Sequence, residues 1–514
     1  MISVFSTSKM SGANAQRAGL SRKDSIPNTP VVHGPDQGWK PWFWFLALAA
    51  IFLFIESWIP LGSSIKLGAD EDFELSKALL YLKGFHFYSE VWNDEPPLYP
   101  YLLAHIFQSF SMSIFPARLL TVGFTLLLLG SLFRLALNLG NLRTAVFAVA
   151  VLIASPGFLE LASSCMVEIP TVAFVVAAFA LLSRPGKYHF PWLELGAGAL
   201  FGIALQMKAI AVIYLPLTVL LLWLKHRLSL KQLFFSALVI GGAAGVSFVL
   251  LNALTGCSLG LQLRQAWESH FSSARSFEYG SPNDHVFDVK LFLKNWDALV
   301  PVILGMGFLI GRIRSRPMTT FPLAWLALTL TIVSTHKPWW ASYYLHNAVP
   351  LCWCAAIALD ATFVWAGSQR VKIALLSVYL LGAGIWMGTR SYLEIAAMRQ
   401  SPQVFSSLVL SEINRYKPFT KFMFTNEGVY SFHAGIPLPP QLADISLKRL
   451  WSGDMTNAKL ATELTEIKPG VILAGNQTVE LPYQELLQRD YRLVYQDQDH
   501  QLYALKSIIP LADP

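Results

Sequence analysis

The chain alternates long apolar stretches with short polar ones. A transmembrane helix needs about 20 consecutive, mostly apolar residues, and about eleven stretches approach or reach that length. They lie at residues 41–60, 117–138, 143–156, 169–183, 193–207, 209–224, 233–252, 297–311, 319–335, 343–363 and 371–389. The pattern predicts an all-α polytopic membrane protein with about eleven transmembrane helices.

Three longer polar segments, residues 61–116, 253–296 and everything after about 390, interrupt this series. The first of them has helical periodicity. Leu75, Ala78, Leu79 and Leu82 recur at i, i+3, i+4 and i+7, and apolar residues of 99–110 do the same. Both stretches are too short to cross a bilayer, so we expect two amphipathic juxtamembrane helices lying at the membrane surface.

The C-terminal part of the chain has a different pattern. Short runs rich in β-branched and aromatic residues predict four strands, and more helical patterns at 454–467 and 482–489 lie between them. The strands are KFMFTN (421–426), GVILAG (470–475), YRLVYQD (491–497) and QLYALK (501–506), with Asp497 to His500 as the turn of the last hairpin. Residues 391–514 are therefore expected to form a small α/β domain.

Composition supports a membrane protein. Hydrophobic residues make up 54% of the 514 residues, charged residues only 14%, and the mean hydropathy is +0.46; soluble domains have about 25% charged residues. A net charge of +7 is also compatible with nucleic-acid binding. Lysine and arginine are concentrated in short loops, however, which is the usual signal of membrane topology. We therefore expect no nucleic-acid partner.

The basic loops orient the chain. With the N-terminus in the cytoplasm, every second loop is basic: these loops contain Arg143, Arg184 and Lys187, then Lys225, Arg227 and Lys231, then Arg312, Arg314 and Arg316, and finally Arg370 and Lys372. We expect a disordered cytoplasmic tail (1–40), a transmembrane domain (41–390) and an extracytoplasmic domain (391–514), in a bacterial inner membrane rather than the endoplasmic reticulum.

Acidic residues gather at the outer ends of the apolar stretches. They form the cluster Asp70 to Glu74, the pair Asp94 and Glu95, and the single Glu168. An acid at the centre of a membrane helix costs about 2.5–3.5 kcal/mol, and an ion-coupled transporter would still keep some there. Helix capping explains part of the cluster. It leaves Asp70 and Glu71 as candidate catalytic residues at the outer membrane–water interface.

Several basic and aromatic residues are expected on the same face. Lys208 lies between two apolar stretches, Lys337 follows another, and Tyr344 and His346 begin the next. A single residue of this kind is usually an interfacial side chain. Together with the acids, they suit a sugar-phosphate donor, because a carboxylate can deprotonate an acceptor hydroxyl and a cation can stabilise the leaving phosphate.

The first outer segment resembles a motif of known membrane enzymes. An Asp-Glu pair, a glycine that ends a helix, an aromatic stretch and a Pro-Pro-Leu-Tyr motif occur in order at Asp70-Glu71, Gly84, Tyr88 and Pro96-Pro97-Leu98-Tyr99. Over residues 41–390 the chain resembles the GT-C class of membrane glycosyltransferases. The nearest groups are the dolichyl-phosphate-mannose protein mannosyltransferases and the lipid A aminoarabinose transferases. Weaker likenesses are Glu168-Ile169-Pro170, Lys208, and Tyr343-Tyr344-Leu345 with Pro350.

The resemblance implies a GT-C fold, a polyprenyl-phosphate-linked sugar donor, and Asp70 as the base or acceptor-orienting group with Glu71 beside it. The candidate substrate-binding residues are Tyr88, Asp94, Glu95, Glu168, Lys208, Lys337, Tyr344 and His346. Two positions depart from the family pattern. Glu95 replaces the phosphate-binding lysine of the aminoarabinose enzymes, and Glu168 stands where aspartate is commoner. Lys208 or Lys337 would then have to hold the phosphate.

The leading hypothesis is an inverting glycosyltransferase that moves a sugar to a hydroxyl or phosphate of a lipid, glycan or protein acceptor on the extracytoplasmic side. A transporter or flippase of a lipid-linked or polar solute would explain the apolar stretches and the basic loops equally well. An inactive scaffold is a third alternative. No closely spaced His, Cys and Asp residues mark a metal site, and a divalent ion held by the scattered acids stays an open alternative.

Overall fold

A computed structural model describes residues 40–63, 69–110, 112–184, 191–226, 229–271, 279–312, 317–367, 369–400, 405–475 and 481–512. Nearly all of the predicted cytoplasmic tail, together with basic-loop residues such as Lys187 and Arg227, therefore lies outside the described residues.

Sixteen α-helices make up the N-terminal part of the protein. They are α1 (Lys40–Glu56), α2 (Ala69–Leu82), α3 (Leu98–Ser109), α4 (Ile114–Leu139), α5 (Leu142–Ile153), α6 (Phe158–Ala162), α7 (Glu168–Leu182), α8 (Pro191–Met207), α9 (Leu215–His226), α10 (Leu230–Leu254), α11 (Leu259–Phe271), α12 (Val289–Lys294), α13 (Trp296–Arg312), α14 (Thr320–Thr335), α15 (Tyr344–Ala366) and α16 (Arg370–Gln400), among the described residues.

Each predicted apolar stretch forms a helix. Among the described residues, five helical segments are long and apolar enough to cross a membrane. They are Ile114–Leu139, Leu230–Leu254, Pro317–Thr335, Ala341–Ala366 and Arg370–Gln400. Most of the others are apolar helices of 10–17 residues. The prediction of a multi-pass helical protein is confirmed, whereas the count of about eleven spans and the orientation of the N-terminus stay predictions.

Two features explain how these helices pack. The helix α15 is mostly apolar, and 78% of its most apolar window is buried inside the protein. Small residues bring α8 and α10 together: a Cβ atom at Gly198 would lie 2.5 Å from the Ile240 carbonyl oxygen, and one at Gly202 would lie 2.6 Å from that of Ala244. Only glycine permits that approach.

The C-terminal part is an α/β domain. Its elements are α17 (Ser407–Tyr416), β1 (Met423–Thr425), α18 (Gly428–Ala434), α19 (Leu447–Ser452), α20 (Asn457–Ile467), β2 (Val471–Gly475), α21 (Gln484–Asp490), β3 (Tyr491–Gln496), β4 (His500–Leu505) and α22 (Ile509–Ala512). The sheet has the order β1-β2-β4-β3, with β1 parallel to β2 and the other pairs antiparallel. All four predicted strands, both helices and the hairpin turn are confirmed. The proposed boundary after residue 390 falls inside α16.

Alternation along the strands explains the layers of this domain. Val471 and Leu473 face a core shared with α17 and α18, while Phe424 and Ile472 face a second core shared with α20 and α21. The sheet is therefore covered on both faces.

The two predicted amphipathic helices exist as α2 and α3, and their position at the membrane surface stays a prediction; the apolar face of α2 packs against protein. Its residues Leu75 and Ala78 are fully buried in a cluster with Tyr99 of α3 and Phe432 of α18. The C-terminal domain covers α2 so closely that a Cβ atom at Gly428 would lie 3.0 Å from the Asp72 carbonyl oxygen. The apolar face that the periodicity revealed is covered by protein.

Candidate active site

The first turn of α2 contains three consecutive acids, Asp70, Glu71 and Asp72, which have three different surroundings. Successive residues of an α-helix point about 100° apart, so neighbouring side chains cannot share one environment. One acid faces a cavity, one faces the membrane helices, and one faces the C-terminal domain. This division organises the site.

The cavity has a volume of ≈ 880 Å³, within the usual range of about 300–1,000 Å³ for ligand sites. The helices α2, α6, α16 and α19 and the loops around Glu95, Lys208 and Tyr343 form its walls. Its charged lining residues are Asp70, Glu74, Lys77, Asp94, Glu95, Glu160, Glu168, Lys208, Lys294, Arg390, Glu394, Asp444 and Lys448. The cavity thus gathers charges from distant parts of the sequence.

Asp70 is exposed to this cavity. Among the described residues, no side chain forms a hydrogen bond or ion pair with its carboxylate. Enclosure by the protein and the nearby Glu168 raise the pKa of Asp70, while Lys208 and Lys448 oppose that rise. A carboxylate with a raised pKa accepts a proton more readily than an ordinary carboxylate does.

Glu71 has a different position. Its carboxylate accepts two hydrogen bonds from the buried Arg118 of α4, at 3.0 Å from Nε and 2.8 Å from Nη2, and a third at 2.9 Å from the backbone N–H of Cys165. Arg118 is 0% and Glu71 4% exposed. Glu71 does not line the cavity. This bidentate pair joins α2 to α4 and the loop before α7.

Asp72 faces the C-terminal domain, where its side chain accepts a hydrogen bond from the backbone N–H of Val429. Burial and the neighbouring Glu71 raise the pKa of Asp72 to about 7. This carboxyl group is therefore the contact of the acid cluster with α18.

Glu168 and Lys208 form a close ion pair in the cavity wall. The Lys208 ammonium donates to Glu168 Oε1 at 2.7 Å, and the Ser342 hydroxyl donates to the same oxygen at 3.0 Å. Lys208 also lies 5.2 Å from the centre of the Tyr343 ring and 3.9 Å from Glu95 Oε1. Although burial alone would lower the pKa of Lys208, Glu168 and Glu95 raise it well above its usual value. Lys208 is thus a fixed positive charge.

Among the lining residues that were not predicted are Lys77 on α2, and Asp444 and Lys448 from the C-terminal domain. Lys77 donates to Glu74 at 2.9 Å and lies 3.3 Å from Asp444. Lys448 lies 3.5 Å from Asp94 and also contacts the next carboxylate along the chain. The spacing of Lys77, seven residues after Asp70 on one helix face, could have revealed it. No local pattern marks the other two.

The remaining predicted residues do not line the cavity. The hydroxyl of Tyr88 donates to the Glu95 carbonyl oxygen at 2.8 Å, and that of Tyr344 accepts from Asn295 at 2.8 Å. His346 is buried, with Nδ1 2.6 Å from the Tyr214 hydroxyl. Lys337 is exposed and reaches Asn283 at 3.4 Å. Asp94, Glu95, Glu168 and Lys208 are therefore the predicted substrate-binding residues that join Asp70 at the cavity.

The cavity lining also contains apolar side chains, some of them on α16. They include Leu161, Met166, Leu291, Trp340, Trp386 and Leu393. Arg390 of the same helix is held by Asp297, with distances of 2.7 and 3.1 Å. Only 11% of the apolar window of α16 is buried, so this helix is the most open to its surroundings of the five long spans among the described residues. The cavity lining therefore contains both charged and apolar side chains.

No group of three or more His, Cys, Asp and Glu side chains is arranged to hold a metal ion within the part of the chain that the structure describes.

Comparison with known proteins places this geometry in context. Residues 94–251 match the sequence profile of the dolichyl-phosphate-mannose-protein mannosyltransferase family. No curated protein sequence matches the chain significantly.

Solved structures with the same fold include ArnT from Cupriavidus metallidurans bound to undecaprenyl phosphate, which is 14% identical, with a TM-score of 0.61 over 90% of this chain and 98% of that one. The Archaeoglobus fulgidus oligosaccharyltransferase tethered with an acceptor peptide is 12% identical, with a TM-score of 0.59 over 91% of this chain and 74% of that one. The Archaeoglobus fulgidus oligosaccharyltransferase AglB in complex with an inhibitory peptide and a dolichol-phosphate is 11% identical, with a TM-score of 0.54 over 85% of this chain and 70% of that one. The predicted resemblance to GT-C glycosyltransferases is confirmed, and the chain shares their fold.

Proposed function

We propose that the protein is an integral-membrane glycosyltransferase that moves a sugar from a polyprenyl-phosphate-linked donor to a hydroxyl or phosphate of a lipid, glycan or protein on the extracytoplasmic side. One observation carries the proposal. Asp70 is open to a cavity whose lining combines lysine ammonium groups with apolar side chains. A lipid-linked sugar phosphate needs both kinds of surface.

The proposed reaction is a single displacement. The acceptor hydroxyl attacks the anomeric carbon of the donor and gives its proton to Asp70, while the bond from that carbon to the phosphate oxygen breaks. The products are the glycosylated acceptor and a polyprenyl phosphate, with inverted configuration at the anomeric carbon. Lys208 stabilises the charge that develops on the leaving phosphate. Glu168 holds Lys208 in place, and Arg118 fixes the first turn of α2 through Glu71.

The fold supports this assignment by analogy. Proteins that share it have been seen with undecaprenyl phosphate or dolichol-phosphate. The apolar lining side chains on α16, the least buried of the long helices, suit lateral entry of such a lipid tail.

The test separates chemistry from transport. Purified protein is given a polyprenyl-phosphate sugar with labels on both parts. A glycosyltransferase releases free polyprenyl phosphate in step with labelled acceptor. A transporter or flippase, the alternative of another class, moves the donor across proteoliposomes and leaves it intact. Intact donor after prolonged incubation with mixed lipid, glycan and protein acceptors contradicts the proposal.

A further inference from the structure

The C-terminal domain contributes a cation to the cavity. Lys448, on the short helix α19, lies 3.5 Å from Asp94 Oδ2 and 3.6 Å from Glu95 Oε1, and both acids belong to the segment between α2 and α3. The lysine is only 14% exposed in its side chain. A buried ammonium from one domain thus meets carboxylates from another.

Glu95 is shared by two lysines. The same oxygen that lies 3.6 Å from Lys448 lies 3.9 Å from Lys208. A direct charge-assisted hydrogen bond is about 2.7–2.9 Å long, as the contact of Lys208 with Glu168 is at 2.7 Å. Glu95 therefore sits between two ammonium groups at distances longer than direct hydrogen bonds. A small anion could take that place.

The position of Lys448 is fixed by its neighbour Arg449, which is 1% exposed. The Arg449 guanidinium donates to the carbonyl oxygens of Gln441 at 2.6 Å and Asp444 at 3.0 Å, and it lies 4.6 Å from the centre of the Trp92 ring. Trp92 belongs to the same segment as Asp94. Lys448 is thus held against the cavity by a buried contact between domains.

A second contact across the domains strengthens this arrangement. Asp444 lies 3.3 Å from the Lys77 ammonium of α2, and residues 444 to 448 all line the cavity. The hydroxyl of Ser446, within this segment, is buried and has no hydrogen-bond partner among the described residues. This segment therefore places Asp444 and Lys448 in the cavity lining.

We propose that Lys448 and Lys208 form a phosphate-binding pair built from two domains, and that Glu95 is an internal counter-ion which the substrate phosphate displaces. The inference rests on the proposed function, because the phosphate is that of the lipid-linked donor or of the polyprenyl phosphate product. A phosphate offers several oxygens to the two point charges, whereas Glu95 reaches both with a single oxygen.

The proposal predicts opposite effects for the two sides of one ion pair. Lys448→Gln removes a phosphate ligand, and we expect the Kd for polyprenyl phosphate to rise about tenfold, the usual effect of losing one charge-assisted contact. Glu95→Gln removes the competing anion, so the Kd should fall. A merely structural ion pair would weaken binding in both variants, since either change would loosen the domain contact.

The experiment measures binding of polyprenyl phosphate, polyprenol and inorganic phosphate to the full-length protein in detergent. Lys448→Arg keeps the charge and should bind within about threefold of the wild type. Lys506→Gln, an exposed lysine of the same domain away from the cavity, is the matched control and should change nothing. Opposite shifts for polyprenyl phosphate and none for polyprenol support the proposal. If the Kd for inorganic phosphate changes in the same way, the lysine pair recognises the phosphate group alone. If only the Kd for polyprenyl phosphate changes, the pair recognises a phosphate that is attached to the lipid.

Two outcomes separate this inference from the proposed function. In the first outcome, the wild type transfers sugar, but the KM for the donor rises in both variants or in neither. This result overturns the proposed phosphate-binding pair and leaves the proposed transferase function intact. A wild-type protein that binds polyprenyl phosphate with opposite shifts, but releases none from the sugar donor, overturns the transferase and leaves the phosphate-binding pair. Thermal unfolding of each variant shows that its binding refers to folded protein.

Discussion

The cavity side of α2 and the side that faces α4 differ sharply, although the acids on them are adjacent in sequence. Asp70 is open to the cavity, and no described side chain forms a direct contact with its carboxylate. Glu71 is buried and accepts three hydrogen bonds from Arg118 and Cys165. A carboxylate held by three donors is fixed in place. One with a free approach can react.

This difference is why we propose Asp70, and not Glu71, as the reactive acid of the motif. The sequence presents Asp70 and Glu71 as one pair, yet the structure separates them into a cavity residue and a residue that orients the helix carrying it. The side of α2 that faces the C-terminal domain adds a third role, because Asp72 contacts α18 there. Changes on the three sides should therefore have separable effects.

The largest effect on stability is expected on the α4 side. Glu71→Gln leaves the Arg118 guanidinium buried without its counter-charge, which should cost about 3–5 kcal/mol. Thermal or denaturant unfolding of the purified protein measures the loss. The double variant Glu71→Gln with Arg118→Met removes the unpaired charge and should recover a large part of it. A Glu71→Gln protein as stable as the wild type would show that the Glu71–Arg118 pair does not hold α2 against α4.

The contact of α2 with α18 should give a smaller effect. Gly428→Ala places a Cβ atom 2.6 Å from Ser76 Oγ and 3.0 Å from the Asp72 carbonyl oxygen, and such overpacking costs about 1–3 kcal/mol. We expect a lower unfolding midpoint and slower sugar transfer, because α18 must move away from the site. Gly382→Ala, at a helical position with open space around it, is the control. Equal behaviour of the two variants would show that the domains are not closely docked.

Asp72 should make stability depend on pH. Its pKa is about 7 in the folded protein, raised from the ordinary value of 3.8. Between about pH 4 and 7, Asp72 is protonated in the folded protein but ionised in the unfolded chain. The contribution of Asp72 to the free energy of unfolding therefore declines as the pH rises through this range, and it is smallest above pH 7. Asp72→Asn should gain about 1 kcal/mol relative to the wild type at pH 8 after allowance for partial solvent screening. Unfolding midpoints at pH 5, 6, 7 and 8 test this; a constant difference would contradict it.

The smallest effect is expected at Lys337, which the sequence presents as a phosphate ligand equal to Lys208. Lys337 is exposed and lies outside the cavity lining, whereas Lys208 is part of it. Lys337→Gln should therefore leave the KM for the donor within about twofold of the wild-type value. If the donor KM of Lys337→Gln rose as much as that of Lys208→Gln, Lys337 would also be a ligand of the donor phosphate, and the phosphate site would lie outside the cavity.

The hydrophobic pattern predicted the helices and strands well, because burial in lipid or in a core imposes a period on the sequence. It did not predict what covers α2, since an apolar helix face looks the same whether lipid or protein lies against it. The C-terminal domain that covers α2 comes more than 300 residues later along the chain.

The candidate site was predicted most fully where a local motif marks it. Asp70, Asp94 and Glu95 lie in one segment with a recognisable order. The role of Glu71 depends on Arg118, 47 residues away, and Lys448 contacts Asp94 across 354 residues. Spacing along the chain carries no information on such contacts, so they required the fold.

The proposed role of Asp70 as the general base is tested most directly by the rate of sugar transfer by Asp70→Asn. The rate is measured with saturating donor on protein whose unfolding midpoint has been determined. We expect a rate lower by about 10²–10⁴-fold, the usual contribution of a general base, with an unfolding midpoint at least as high as that of the wild type and unchanged binding of polyprenyl phosphate. Transfer at the wild-type rate by the folded variant would contradict the assignment of Asp70 as the base.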